Sequence, residues 1–288
     1  MSTPLKTLVA TMAARLAEAG VSFGHGTTNA ADEAAWLTLW RLGLPLDSDI
    51  EAAADVSAAQ ADSVAQLVNE RIRTRKPAAY LTQEAWLQGV PFYIDERSIV
   101  PRSLIAELLA NGSIDDFLSA DTHRVLDLCC GNGSLGILAA LTYPDVEVTG
   151  ADLSEDALAV ARINVERHAL QGRVHLVQSD GWTAVPGPWD LVLCNPPYVN
   201  AASMAALPEE YRAEPELALA GGTDGMDFIR HLLAAAPQHL SENGVLVLEI
   251  GNEREYFEAA FPQLPVFWLD TSAGADQVLL ITRDALLK

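Results

Sequence analysis

Over the first seventy-five positions, apolar residues recur at the period of an α-helix. Leu5, Leu8, Val9, Met12 and Leu16 share one face, and Gly20 breaks the pattern. Asn29 or Thr28 is placed to cap a second helix carrying Trp36, Leu37, Leu39 and Trp40, which stops near Gly43 and Pro45. Ser57-x-x-Gln60 is a capping box ahead of a third helix with Val64, Leu67, Val68 and Ile72 on one side. From Tyr80 to Val100 the spacing turns towards strand. Ala85-Trp86-Leu87, then Gly89, then Phe92-Tyr93-Ile94 predicts a hairpin closed by Ile99-Val100-Pro101, with a helix from Ser103 onwards.

Beyond that point strands and helices alternate in the doubly wound manner. Strands are predicted at 124–129, 146–151, 173–178, 189–194, 244–250, 265–270 and 277–282, and helices at 133–142, 154–168, 223–240 and 253–260. Only Thr271 to Asp276 separate the last two strands, which leaves no room for a crossover helix, so they are expected to pair antiparallel. The predicted class is therefore α/β: a Rossmann-like domain whose seven-stranded sheet ends in an antiparallel hairpin, preceded by a small helical domain. The expected boundaries are 1–78 for the helical domain, 79–101 for a hairpin linker and 102–288 for the α/β domain.

Charge narrows the partners. Thirty-nine acidic against eighteen basic residues give a formal net charge of −21 over 288 residues. Such a surface repels nucleic-acid phosphates and favours encounter with basic proteins. The one basic cluster, Arg71, Arg73, Arg75 and Lys76, reads as a solvated helix end. Cys129, Cys130 and Cys194 are three cysteines without C-x-x-C or zinc-ligand spacing, which suits reduced thiols in the cytoplasm and no metal. No signal peptide is expected, and no uncharged apolar run approaches the ~18 residues of a membrane span.

The chemistry-bearing residues fall at predicted strand ends. Val125 to Leu128 run into Cys129-Cys130-Gly131-Asn132-Gly133, a glycine turn before a helix, whose backbone N–H groups are expected to approach a ligand. Gly131, Gly133 and Gly136 also satisfy G-x-G-x-x-G, so this segment alone does not separate adenosylmethionine from a nicotinamide cofactor. Asp152, followed by Leu153, ends the second strand, where a carboxylate can accept both ribose hydroxyls of an adenosine. Asp180, followed by Gly181, comes after the third strand, where it can accept the adenine amino proton. A helix cap for Asp152 and an Asx-turn for Asp180 are the structural alternatives. Asp127, inside the first strand, is expected either to meet a methionine amine or to order the glycine turn. The fourth strand ends in Asn195-Pro196-Pro197-Tyr198. There the Asn195 side chain and the Asn195 or Pro196 carbonyl can accept the hydrogens of a planar nitrogen, and Tyr198 can lie against it. His168, His175, His231 and His239 are expected on solvated or helix faces, and no conventional general base is identifiable.

Taken together, these motifs resemble the N(5)-glutamine protein methyltransferases. The likeness is carried by Pro77-Ala78-Ala79-Tyr80-Leu81-Thr82, Phe92-Tyr93-Ile94-Asp95-Glu96-Arg97, Val100-Pro101-Arg102-Ser103, the Asn195 to Val199 loop, and Tyr211-Arg212-x-Glu214-Pro215-Glu216-Leu217-Ala218-Leu219 with Gly221 to Gly225. The release-factor branch usually reads Ile-Pro-Arg-Pro-Glu-Thr at positions 100–105. The Tyr-Leu-Thr and Phe-Tyr-Ile-Asp-Glu-Arg stretches look like the branch that modifies the third large-subunit ribosomal protein. Cys130, Asn132 and Leu87 depart from the usual pattern.

The resemblance implies a class I methyltransferase using S-adenosylmethionine, held by Asp127, Cys129, Cys130, Gly131, Gly133, Asp152, Leu153, Asp180, Gly181 and Asn195. It implies Asn195, Pro196 and Tyr198 as catalytic residues, and Phe92, Asn195, Pro196, Pro197 and Tyr198 around the acceptor glutamine. The implied partner is a basic ribosomal protein, free or within an assembling ribosome, and by location alone the helical domain is the expected docking surface. Release-factor glutamine methylation, adenine amino methylation of RNA or DNA, a cofactor-binding adaptor and a nicotinamide dehydrogenase are the rivals. The acidic surface, the intact Asn195-Pro196-Pro197-Tyr198 and the terminal hairpin weigh against the last three respectively.

Overall fold

The structure is a computed structural model describing residues 2–51 and 55–288. The chain divides into two compact units, Met1–Ala85 with Pro208–Glu214, and Trp86–Leu207 with Pro215–Lys288.

The first unit contains α1 (Leu5–Glu18), α2 (Ala30–Leu42), α3 (Ala58–Thr74) and α4 (Ala78–Thr82). The Asn29 side chain caps α2 by accepting the Asp32 N–H, and left-handed Gly43 ends it. Ser57 and Gln60 form the reciprocal capping box of α3. Leu5, Leu8, Met12, Leu16, Leu37, Val64 and Val68 make the core. At its edge lies a buried ionic cluster. Arg71, wholly buried, donates to Glu33 at 2.9 Å, to the Ser22 carbonyl at 2.9 Å and to Glu210 at 3.4 Å. His25 and Glu214, both buried, lie 3.4 Å apart, and the His25 ring packs on Tyr211. Glu210, Tyr211 and Glu214 belong to the excursion Pro208–Glu214, which the sequence pattern assigned to no element and to no helical domain.

The strands β1 (Glu84–Leu87) and β2 (Val90–Tyr93) form the expected hairpin. Its two-residue turn places both Gln88 and Gly89 at positive φ, the hand that matches strand twist. Residues 99–101 form no strand.

The second unit continues with α5 (Ile105–Asn111), β3 (Arg124–Leu128), α6 (Ser134–Thr142), β4 (Glu147–Asp152), α7 (Glu155–Arg167), β5 (Val174–Gln178), β6 (Trp189–Cys194) and α8 (Ala201–Ala206). Then come α9 (Asp227–His239), β7 (Leu240–Glu249), α10 (Arg254–Ala260), β8 (Phe267–Thr271), β9 (Gly274–Thr282) and α11 (Arg283–Leu286). The seven-stranded sheet has the order β5-β4-β3-β6-β7-β9-β8. β3 to β7 are parallel, and β9 pairs antiparallel with both β7 and β8. Alternate strand residues feed two cores. Val125, Leu191, Leu193 and Val247 pack with α5 and α6 on one face; Leu126, Val192, Leu246 and Leu248 pack with α9 and Phe257 of α10 on the other. Strand order reverses between β3 and β6, so the loops after these two strands flank the crevice in which doubly wound sheets bind ligands. Among the described residues no helix is long and apolar enough to cross a membrane.

Candidate active site

A cleft of about 810 Å³, counting its open mouth, lies at the carboxyl ends of β3, β4, β5 and β6, within the usual range for small-molecule sites. Cys129, Gly131, Asp152, Leu153, Asp180, Gly181, Asn195 and Pro197 are among the residues that line it.

The floor is the turn after β3. Cys129 adopts φ +62°, an uncommon value for a residue other than glycine, and Gly131 and Gly133 follow at +54° and +79°. Three N–H groups of this turn are engaged within the protein. Gly131 donates to Asp152 Oδ2 at 2.8 Å, Cys130 to the Ala151 carbonyl at 3.0 Å, and Gly133 to the Cys130 carbonyl at 2.8 Å. Cys130 and Gly133 therefore hold the turn together and neither lines the cleft. A Cβ on Gly133 would come within 3.2 Å of Ala161, so this glycine permits close approach to α7. The three cysteines are free thiols. Cys194 beside it, together with burial, pushes the Cys129 thiol well up, and burial does the same to Cys130.

Asp152 also accepts the Ser154 N–H at 2.8 Å through Oδ1, while Ser154 itself caps α7. Burial raises its carboxyl against the pull of these amides. Asp180 is exposed at the cleft, and among the described residues nothing donates to its carboxylate. Asp127 is buried behind the turn. Its Oδ2 accepts the Gly136 N–H at 2.7 Å, so it orders the turn, while Oδ1 has no hydrogen-bond partner. Burial, opposed by the Gly136 amide, pushes Asp127 up to about 7.

Asn195 follows the end of β6, half-buried and lining the cleft, with its side chain hydrogen-bonded to no described residue. Pro196 is buried and does not line the cleft. The Tyr198 ring also lies outside the cleft lining; it packs near Gly251 and its hydroxyl donates to Glu249 at 3.2 Å. Phe92 corrects an expectation outright. It is fully buried in the core beside Leu87, its ring 5.4 Å from His168, because strand alternation in β2 turns it inward and away from the cleft.

Arg97, Ile99, Pro215, Leu217 and Phe228 complete the walls. Sequence pattern gave them no role, although Arg97, Pro215 and Leu217 lie inside quoted motifs and Ile99 directly precedes one. Two carboxylates at adjacent strand ends, apolar walls from Leu128, Ala151, Leu153 and Phe228, and one unpaired carboxamide suit an adenosine carrying a reactive cationic group.

The methyltransferase small domain family matches residues 107–210. The hMettl16 catalytic domain, solved with the MAT2A 3'UTR hairpin 6, superposes with TM-score 0.52 at 13% identity over 78% of this chain and 81% of that one, a likeness of fold. The ribosomal protein uL3 glutamine methyltransferase of Bordetella pertussis is 52% identical over 98% of this chain and 96% of its own length. That of Burkholderia pseudomallei is 48% identical over 97% and 95%. With this identity running through nearly the whole length, the chain belongs to the ribosomal protein uL3 glutamine methyltransferase family.

Proposed function

We propose that this enzyme transfers a methyl group from S-adenosylmethionine to the side-chain amide nitrogen of a glutamine in ribosomal protein uL3. The observation that carries the reading is the unpaired Asn195 carboxamide at the end of β6, in the cleft that also holds Asp152 and Asp180. S-adenosylmethionine supplies an electrophilic methyl on cationic sulfur and departs as a neutral thioether, so the protein needs no covalent intermediate.

The protein's part is positional. An amide nitrogen is a poor nucleophile because its lone pair is delocalised into the carbonyl. The Asn195 side-chain oxygen and, since Pro196 does not line the cleft, the Asn195 main-chain carbonyl each accept one N–H of the acceptor, which biases the nitrogen towards tetrahedral geometry and aims its lone pair. Orientation of this kind lowers a barrier by up to ~7–11 kcal/mol. Asp152 and Asp180 hold the adenosine end, and the leaving proton passes to water. The helical unit is assigned to docking the basic acceptor, free or within an assembling ribosome in the cytoplasm.

The test is to incubate the protein with methyl-labelled cofactor and ribosomal proteins from cells lacking the enzyme, then sequence the labelled peptide by mass spectrometry. Label on one uL3 glutamine is expected. Label on a release factor or on RNA, with none on uL3, overturns the assignment.

A further inference from the structure

We propose that Glu249 is a positioning residue for the acceptor loop: its carboxylate anchors Tyr198 and, through the two intervening prolines, sets where Asn195 stands. Glu249 is the last residue of β7, which runs beside β6 with Leu248 opposite Cys194, so it lies level with the start of the loop. Its side chain is buried, yet both oxygens are satisfied. Oε2 accepts the Ser103 hydroxyl at 2.6 Å and the Leu104 N–H at 2.9 Å, and Oε1 accepts the Tyr198 hydroxyl at 3.2 Å. A buried carboxylate is costly unless donors surround it, and here one of those donors belongs to the catalytic tetrapeptide.

The space around Tyr198 is closed to side chains. A Cβ at Gly251 would stand 2.5 Å from Tyr198 Cε2, one at Gly221 2.7 Å from its Cα, and one at Gly225 2.2 Å from its carbonyl oxygen. Beyond it, Val199 donates to the Leu219 carbonyl and receives the Gly221 N–H, both at 2.9 Å. Tyr198 is thus boxed by glycines and tied at its hydroxyl. Pro196 and Pro197 have fixed φ, so few torsions remain between this anchor and Asn195. The ring lies outside the cleft lining, and its influence on Asn195 runs through the backbone.

The kinetic arm of the test rests on the uL3 reading; the exchange arm does not. Glu249→Gln, Tyr198→Phe and the double variant are compared with the parent for uL3 methylation, cofactor affinity by calorimetry, and amide hydrogen exchange without cofactor. Glu249→Gln is expected to lower kcat roughly 10–100-fold while the cofactor Kd moves less than about threefold. The double variant is expected to be no slower than Glu249→Gln, since the two groups act as one unit. The Val199 and Gly221 amides are expected to exchange at least about tenfold faster, with Cys130 and Ser179 unaltered. Additive kinetic losses, a matching loss of cofactor affinity, or unchanged Val199 and Gly221 exchange overturns the role. Should Glu249→Gln not fold, Ser103→Ala removes one donor outside the loop and must give the same amide signature with a smaller kinetic loss; normal exchange there also overturns it. If the parent protein fails to methylate uL3, the substrate reading falls, and exchange alone decides the anchor.

Discussion

The carboxylate of Asp152 at the end of β4 accepts the Gly131 N–H from the turn after β3, at 2.8 Å. One side chain thereby closes the glycine turn and faces the cleft. Asp152→Asn places an N–H₂ against an amide that the carboxylate now receives. Charge-assisted hydrogen bonds contribute about 1.5–3 kcal/mol, so cofactor Kd is expected to rise roughly 10–100-fold by calorimetry. Unchanged affinity would remove Asp152 from the binding site.

Asn195→Ala separates binding from transfer. Loss of one preorganised hydrogen-bonding group is expected to lower kcat by about 10²–10³, with cofactor affinity nearly unchanged. Steady-state methylation of uL3 paired with calorimetry checks both halves, and equal loss in the two would contradict the assignment.

Asp127 makes the stability of the cofactor-free chain pH-dependent. Burial raises its carboxyl from 3.8 to about 7, so between those values the folded chain holds a proton that the unfolded chain has released. Stability contributed this way is present below the unfolded value and is lost as pH rises towards 7, levelling above it. Asp127→Asn removes that dependence. Relative to the variant, the parent's urea midpoint is expected to fall between pH ~4.5 and ~7.5. A constant difference across that window would show that Asp127 titrates normally.

In the helical unit, Arg71→Leu leaves the buried carboxylates of Glu33 and Glu210 without their shared partner. Breaking a buried pair from one side costs about 3–5 kcal/mol. Urea unfolding, read through amide exchange in α2 and α3, is expected to show a loss of that order. Arg71→Lys, which retains charge but not the fork of donors, is expected to recover part of it.

Much of the fold is legible in the residues. The near-continuous apolar runs at Val125 to Leu128 and Leu191 to Cys194 mark central strands because each is buried on both faces. The short stretch after Thr271 leaves only a hairpin, and β8 and β9 pair as one. Asp152, Asp180 and Asn195 were readable as neighbours at one sheet edge because each stands at a strand end, where sheet topology delivers side chains to that edge.

Other features were not legible. Phe92 sits in an aromatic motif, yet only the packing of β2 decides that its ring enters the core. The excursion Pro208–Glu214 carries no periodic pattern, and its membership of the helical unit follows from Glu210 meeting Arg71, 139 positions away. Ser103 meets Glu249 across 146 positions.

From its amino-acid order alone, this chain determined its longer helices, its strand sequence, its terminal hairpin and the identity of three groups at the sheet edge. Those depend on local period and on short connections, which neighbouring residues set among themselves. Tertiary structure decided which N–H groups the glycine turn spends on itself, which aromatic ring faces the core, and which buried carboxylate holds Tyr198. The reason is that a buried polar group must find a partner wherever the completed fold puts one, and spacing along the chain carries no record of that choice.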